Sequence, residues 1–384
     1  MEKNNKTLNV PHLRFPEFSG AWETATLQSV ATLSKGAGIS KDQLSEEGQA
    51  CILYGELYTK YNSEIIDTII SKTDIDSEKL VKSQANDVII PCSGESAVDI
   101  ATAKCIKLSN VLLGGDLNII RLKGEHDGSF FAYQLNGKRK YDIAKVAQGV
   151  SVVHLYGEHL KGVKVNYPSA TEQKKISSLL ALIDQRIETQ KKIIEKYESL
   201  IRGLYQFLFQ QAKYDYFVSL GDISQISNGN SDVKDASMDN DGSLYPFFDR
   251  SDEIKFLPEY LFDKEAIIYP GEGAEFYPRY YNGKFALHQR CYAVYDISTD
   301  FIPRYLYHYC KTQNSYFVRN AVGSTVASLR LDTFKRLKIP AIPTHHQESL
   351  VMFLDKIEAK IECNRTILKK YEEQKKYLLF TLFI

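Results

Sequence analysis

The strongest constraint in this sequence is that it repeats itself. Setting Gly149 over Gly323 and continuing at a constant offset of 174 residues gives 17 identities in the 61 positions from 149 to 209, without a gap. Val152 meets Val326, Leu155 meets Leu329, Lys164 meets Lys338, Gln173 meets Gln347, and Leu208-Phe209 meets Leu382-Phe383. Self-similarity of this extent marks a duplicated structural unit. Upstream the match weakens. Tyr133 and Ala147 stand over Tyr307 and Ala321, and Val88-Ile89-Ile90 before Pro91-Cys92-Ser93-Gly94 resembles Ala266-Ile267-Ile268 before Tyr269-Pro270-Gly271-Glu272. Both apolar runs predict short buried strands ending in turns. The first copy starts near Trp22 and the second near Tyr216, so the second globular part is shorter, by about twenty residues lost near its beginning.

The best-kept part of each copy has helical periodicity. Ile176, Leu180, Ile183, Ile187, Ile194, Tyr197, Ile201, Leu204 and Leu208 fall in alternating steps of four and three, a heptad seam. Leu350, Leu354, Ile357, Ile361, Leu368, Tyr371, Leu378 and Leu382 repeat it. Gln190 and Asn364 fill the equivalent polar gap in each seam. A lone polar residue there costs stability but selects register and partner number. The matched gaps predict two seams facing each other, Gln190 near Asn364, as an antiparallel hairpin. The alternative is that each helix packs on its own globular part. A helix of about 38 residues is a rod of roughly 57 Å.

Composition excludes several classes. No run of 18 apolar residues exists, which excludes a membrane helix. Met1 to Val10 is polar and lacks the apolar stretch of a secretion signal, so a cytoplasmic location is expected. Cys51, Cys92, Cys105, Cys291, Cys310 and Cys363 form no Cys-x-x-Cys pair, which suits reduced thiols and not a zinc site. The histidines lack ligand spacing, and the adjacent His345 and His346 are expected to point to different sides of the chain. With 48 basic and 48 acidic residues, bulk charge offers no attraction to nucleic acid, although local basic faces remain open.

Taken together, certain stretches resemble a known family. They are Pro11 to Pro16 (Pro-x-Leu-Arg-Phe-Pro), Trp22, the turns Gly149-Val150-Ser151 and Gly323-Ser324-Thr325, Lys338-Ile339-Pro340, and Glu172-Gln173-Lys174-Lys175-Ile176. In duplicate, they are similar to the specificity subunit of type I restriction–modification systems, over nearly the whole chain. Departures are modest: Val165-Asn166-Tyr167-Pro168 stands where the family often has Ile-Pro, and His346-Gln347 replaces Glu-Gln. The resemblance implies an α+β architecture of two α/β target recognition domains in a tandem pseudo-twofold repeat, separated by two long antiparallel coiled-coil helices. The expected divisions are an N-terminal segment 1–21, recognition domain 22–168, helix 169–211, recognition domain 212–343 and helix 344–384. Each domain would read one half of a bipartite, asymmetric double-stranded DNA site. The helices would set the spacer, their length matching about one and a half turns of B-DNA at roughly 34 Å per turn, and would dock two methylation subunits, which restriction subunits join. The chain itself is expected to be no enzyme and to bind no cofactor. S-adenosylmethionine would belong to the methylation subunit, and ATP with Mg2+ to the restriction subunit. The competing reading is an assembly scaffold with two peptide-binding domains.

Motifs for catalysis are missing. A methyltransferase needs a glycine-rich cofactor loop and an Asn/Asp-Pro-Pro-aromatic motif, and the chain has no Pro-Pro pair. Asp249 with Glu253 and Lys255 imitates a nuclease triplet but lacks a strand pattern. Gly271-Glu272-Gly273 and Gly114-Gly115-Asp116 read as strand connections, not phosphate cradles. Candidates for DNA contact are clusters of basic, aromatic and amide residues, which suit phosphates and base edges. In the first domain these are Lys35 and Lys41 in a flexible glycine loop, Tyr54, Tyr58, Lys60 and Tyr61, the polar turn with Ser93 and Ser96, and Ser151. In the second they are Arg250, Arg279, Tyr280, Tyr281, Lys284, Gln289, Arg290, Ser324 and Thr325, with Asn282-Gly283 predicted as a hairpin turn.

Overall fold

Short β-branched and aromatic runs bounded by glycine and polar turns become the strands of this protein, and the duplication sets two sheets in the same order. A computed structural model describes residues 9–76, 78, 80–149, 152–211, 214, 216–240 and 242–384. Its chain divides into unit 1, Met1–Lys191 with Thr366–Ile384, and unit 2, Lys192–Arg365.

Unit 1 contains β1 (Glu23–Thr26), β2 (Ala31–Lys35), β3 (Ile65–Ile66), β4 (Val88–Pro91), β5 (Lys104–Ile106), β6 (Leu117–Leu122), helix α1 (Gly128–Asn136) and β7 (Lys164–Tyr167). A five-stranded sheet runs β2-β6-β4-β5-β3. The predicted apolar run is β4, buried along its whole length. Asp127 caps α1 by accepting from the amides of Ser129 (2.7 Å) and Phe130 (3.2 Å), which seats Phe130 and Phe131 on the sheet. Trp22 packs against Phe130 at 5.7 Å between ring centres. β1 pairs antiparallel with β7, closing the domain where the repeat begins.

Unit 2 repeats this plan with β8 (Phe217–Ser219), β9 (Gln225–Asn228), β10 (Tyr245–Phe248), β11 (Lys255–Leu257), β12 (Phe262–Pro270), β13 (Arg279–Leu287), β14 (Cys291–Tyr295) and β15 (Lys338–Pro340). Its six-stranded sheet runs β9-β14-β12-β13-β10-β11. β9-β14-β12 corresponds to β2-β6-β4, and β8 pairs with β15 as β1 does with β7. The predicted turn at Asn282-Gly283 lies inside β13. Asn282 and Gly283 stay in register with Glu265 and Lys264 of β12, because one long partner strand pairs with the residues on both sides of them. The predicted flexible loop after Lys35 is tied down: the amides of Gly36 and Ala37 donate to the carbonyls of Leu117 (2.9 Å) and Leu113 (3.0 Å).

The periodic segments are helices α2 (Ala170–Tyr205), continued by a wider π turn (Gln206–Gln211), and, after α3 (Pro303–Lys311), α4 (Thr344–Thr381). In unit 1, Ile176 and Leu180 of α2 share a core with Leu378, Leu382 and Phe383 from the end of the chain. In unit 2, Leu354, Ile357 and Ile361 of α4 share a core with Ile201 and Phe209. Each helix therefore starts on its own globular part and ends in the core of the other, which merges the two packing alternatives. Pairing is antiparallel within each unit. Asp184 meets Lys375 (2.6 Å) and Lys191 meets Glu372 (3.9 Å) in unit 1, while Glu198 meets Arg365 (2.7 Å) and Tyr205 meets Glu358 (3.1 Å) in unit 2. Gln190, in unit 1, is buried to 7% exposure, while Asn364, in unit 2, is half-buried and donates to the Lys360 carbonyl one turn back. At the start of α4 the rings of His345 and His346 approach to 4.1 Å, closer together than adjacency alone suggested.

Candidate functional site

Two equivalent surface sites form at the ends of the central strands, one in each unit. In unit 1, β2 ends at Lys35, Asp116 precedes β6, and the turn Cys92–Gly94 follows β4. The ladder sets Pro91 against Leu117 and Lys35 against Asn118. Gln148 and His154 are joined at this end, exchanging both backbone hydrogen bonds at 2.8 and 2.7 Å. That closure needs glycine at 149, where φ is +127° and a Cβ would lie 2.1 Å from the Val152 carbonyl oxygen. His154 then pairs with Ser93.

Unit 2 builds the same backbone. Pro270 stands against Cys291, and Asn228 against Tyr292. Val322 and Ser328 exchange backbone bonds at 2.9 and 2.8 Å around Gly323, whose φ is +117°. Ser328 bridges to Glu272 as His154 does to Ser93. Position by position, Ser93 corresponds to Glu272 and Asp116 to Arg290.

The side chains at these shared positions differ. In unit 1 the Asp116 carboxylate accepts from the Ser93 hydroxyl (3.2 Å) and sits 3.3 Å from the Lys35 ammonium. Asp116 and Lys35 border a pocket of about 330 Å³, lined also by Cys92, His154, Tyr156 and Lys161. Burial pushes the Cys92 thiol up to about 11, so it is a neutral wall and not a nucleophile. In unit 2 Arg290 donates through Nη1 to both Glu272 oxygens (3.1 and 2.9 Å), and Glu272 accepts from the Ser328 hydroxyl (3.4 Å). Gln289 donates to Asp232 at 3.4 Å. Surface ion pairs of this kind add little stability, so their effect here is to aim side chains.

Of the sequence-chosen residues, this end of the sheet gathers Lys35 and Ser93 in unit 1 and Gln289 and Arg290 in unit 2. The exposed Ser324 and Thr325 lie in its closing loop. Tyr58 brings its hydroxyl to the Gly94 turn, with the exposed Tyr54 in its electrostatic surroundings. Ser96 instead caps the helix Ala97–Ile100. Lys41 lies exposed on a separate turn, Lys41–Gln43. Ser151 lies outside the described residues.

Several others are engaged within the fold. Lys60 binds Glu56 (2.6 Å) and Ser71 (3.0 Å), and the Tyr61 hydroxyl accepts from the Ile70 amide (3.2 Å) while its ring joins a core. Arg279 donates to the carbonyls of Asp249 and Ser251 (2.8 Å for the latter) and lies over the Phe248 ring. Tyr280 bonds Glu265 beneath Arg304, and Tyr281 packs on Phe248. Lys284 sits 4.8 Å above the Tyr260 ring, and Arg250 is exposed. The nuclease-like triplet is a turn clamp: Asp249, 3% exposed, holds Ser251 and Lys255, while Glu253 faces solvent. Sequence reasoning passed over Asp116 and Glu272 as parts of glycine turns. The fixed offset sets His154, the partner of Ser93, over Ser328, the partner of Glu272, and Asp116 follows only from the strand register that sets Leu117 and Cys291 against equivalent prolines.

A second polar cluster in unit 2 joins both helices to α3. His308, fully buried, contacts Asp355 through Nε2 (2.8 Å) and the Tyr205 hydroxyl through Nδ1 (2.9 Å). His308, Asp355 and Glu358 bring ligand-type atoms within 4.8 Å of one another. Arg304 pairs with both carboxylates and Lys311 with Glu358 at 2.6 Å. Those cations already neutralise the carboxylates, which makes the cluster an ion-pair joint in place of a cation site.

Two folded copies of one plan, each presenting the same loop-closed strand end and each packed with part of both long helices, define a tandem-repeat α/β protein. The chain belongs to the family described as the type I restriction modification DNA specificity domain, matched at residues 20–199 and again at 214–373. Among solved structures it is similar to the specificity subunit of a type I restriction–modification system from M. genitalium. That match has a TM-score of 0.70 and 17% identity, covering 98% of this chain and 99% of the other. It is also similar to a chain from a structure concerned with complex assembly and conformational transition of the type I system, with a TM-score of 0.55, 12% identity, and coverage of 96% and 98%. Among the described residues no helix is long and apolar enough to cross a membrane.

Proposed function

We propose that this chain is the non-catalytic DNA reader of a type I restriction–modification complex, each recognition domain contacting one half of a bipartite site. The observation that carries this reading is the duplicated strand end. A corresponding backbone frame, closed at Gly149 and Gly323, presents different polar side chains, as two readers of different half-sites require. The helix pair sets the spacing and docks two methylation subunits. Exposed apolar residues on it, among them Leu182, Leu200, Met352, Tyr377 and Phe380, support a partner-covered surface. S-adenosylmethionine enters with the methylation subunits, and ATP with Mg2+ enters with the restriction subunits, in the cytoplasm.

The test is to combine the full chain with its methylation partner and map methylated adenines. Exchanging residues 22–148 for a domain of another specificity should change one half of the methylated motif and leave the other half and the gap intact. An unchanged motif would favour a scaffold with peptide-binding domains. Purely salt-sensitive binding without sequence preference would sink the reading altogether.

A further inference from the structure

The shared positions at the two strand ends carry opposite hydrogen-bonding chemistry. Position 116 in unit 1 and position 290 in unit 2 each immediately precede the same central strand, Leu117 and Cys291 standing against the equivalent prolines. Each is held by the residue its closing loop bridges: Ser93 donates to Asp116 at 3.2 Å, and Glu272 accepts from Arg290 at 2.9 Å. One position therefore ends in a carboxylate that only accepts, the other in a guanidinium that only donates.

The aim of Arg290 is specific. Both bonds to Glu272 run through Nη1, and the side chain is 63% exposed. Among the described residues no further hydrogen bond to its guanidinium is present, which leaves the Nε and Nη2 donors without a partner there. They form the forked donor pair that matches the two acceptors of guanine in the major groove. In unit 1 the Asp116 side chain is 47% exposed, and its two oxygens are engaged on one side by Ser93 and on the other by Lys35 at 3.3 Å. A carboxylate presented in this way accepts from an exocyclic amino group, cytosine N4 above all.

We infer that Asp116 and Arg290 are the corresponding base-reading residues of the two domains, Arg290 selecting a guanine and Asp116 an exocyclic amino group, with Ser93 and Glu272 as the residues that position them. This inference rests on the DNA-reading proposal above and names the residues through which it acts. It also assigns the asymmetry of the site to two positions, since the backbone around them is the same in both domains.

The experiment uses the full chain assembled with its methylation subunits and reads methylation at every adenine of a randomised target pool. The wild-type motif should contain one fixed guanine in the half read by residues 212–343. Arg290→Ala should relax that base pair by roughly ten- to a hundredfold, the discrimination that one bidentate contact supplies, and leave the other positions unchanged. Arg290→Lys should recover only part of it, because a point charge lacks the fork. Glu272→Gln keeps the shape and should loosen the preference at that same base pair. A purely structural role for Glu272 would lower methylation evenly across all positions. Asp116→Asn, which adds a donor, should alter preference at one base pair of the other half only.

A phosphate contact would give Arg290→Ala an evenly weakened signal with an unchanged motif, and that result overturns the inference. So does a motif whose second half lacks a fixed guanine. Loss of all sequence preference by the wild-type assembly would instead overturn the DNA-reading proposal, so the two failures are distinguishable.

Discussion

At the scale of single residues, buried polar groups at the helix joints have consequences that can be signed. His308 is fully buried between Asp355 and Tyr205. Burial holds its pKa below the ordinary 6.5 even though Glu358 and Asp355 pull the other way. The unfolded chain then binds more protons than the folded one just below pH 6.5, so this stabilisation is present above 6.5 and fades as pH falls toward the folded value. Glu358 is held below its usual 4.5 mainly by Lys311, against the opposing effect of burial, and Asp355 below 3.8 by Arg304 and His308. Their contributions are present above those values and are lost on further acidification. Thermal unfolding between pH 7 and 5 should therefore show unit 2 weakening as pH falls, and His308→Gln should flatten that slope. Parallel pH dependences in the two proteins would contradict this assignment.

At the scale of elements, the helices and their antiparallel pairing were legible, and the globular cores in which they end were not. The seam, its polar interruption and the approximate ends of α2 and α4 follow from apolar spacing alone. That Phe209 ends in the core of unit 2, against Tyr305 and Tyr309, and Phe383 in the core of unit 1, against Phe130, does not. Periodicity says which face is apolar but not which surface will cover it. Phe383→Ala and Phe209→Ala should each cost about 3–5 kcal/mol, as buried aromatic truncations do. Hydrogen exchange should show the loss of protection in unit 1 for the first and in unit 2 for the second. Protection lost instead in the unit that carries most of the truncated helix would disprove the crossed packing. The strands show the same limit. β4 and β12 stand out as apolar runs, whereas Asn282-Gly283 carries a local turn signal that pairing along β12 overrides.

At the scale of the whole molecule, the spacing role proposed above for the helices can be tested by lengthening both of them. Phe209 is already fixed in the core of unit 2, so an insertion near Gln210 would add only connecting chain beyond that anchor. Seven residues inserted after Lys191, with seven more after Arg365, keep the heptad phase and add roughly 10 Å. That is about three base pairs at 34 Å per turn of roughly ten. Methylation mapping should then show a gap about three base pairs longer with both half-sites unchanged, and an unaltered gap would refute the ruler.

The sequence by itself determined the duplication, the two helices with their matched polar positions, the two central apolar strands and the family. All of these are written in identities and spacings along the chain. Only the tertiary structure decided which polar residues are presented outward. Arg279, Tyr280 and Lys60 look as suited to DNA as Arg290 does, but each is satisfied within the fold, by a carbonyl, by a carboxylate and by the buried Glu56 respectively. Asp116 and Glu272, unremarkable beside their glycines, acquire their meaning from the strand register. The reason is physical: hydrogen-bonding capacity belongs to a residue, but whether it is already spent is settled by neighbours far away in the chain.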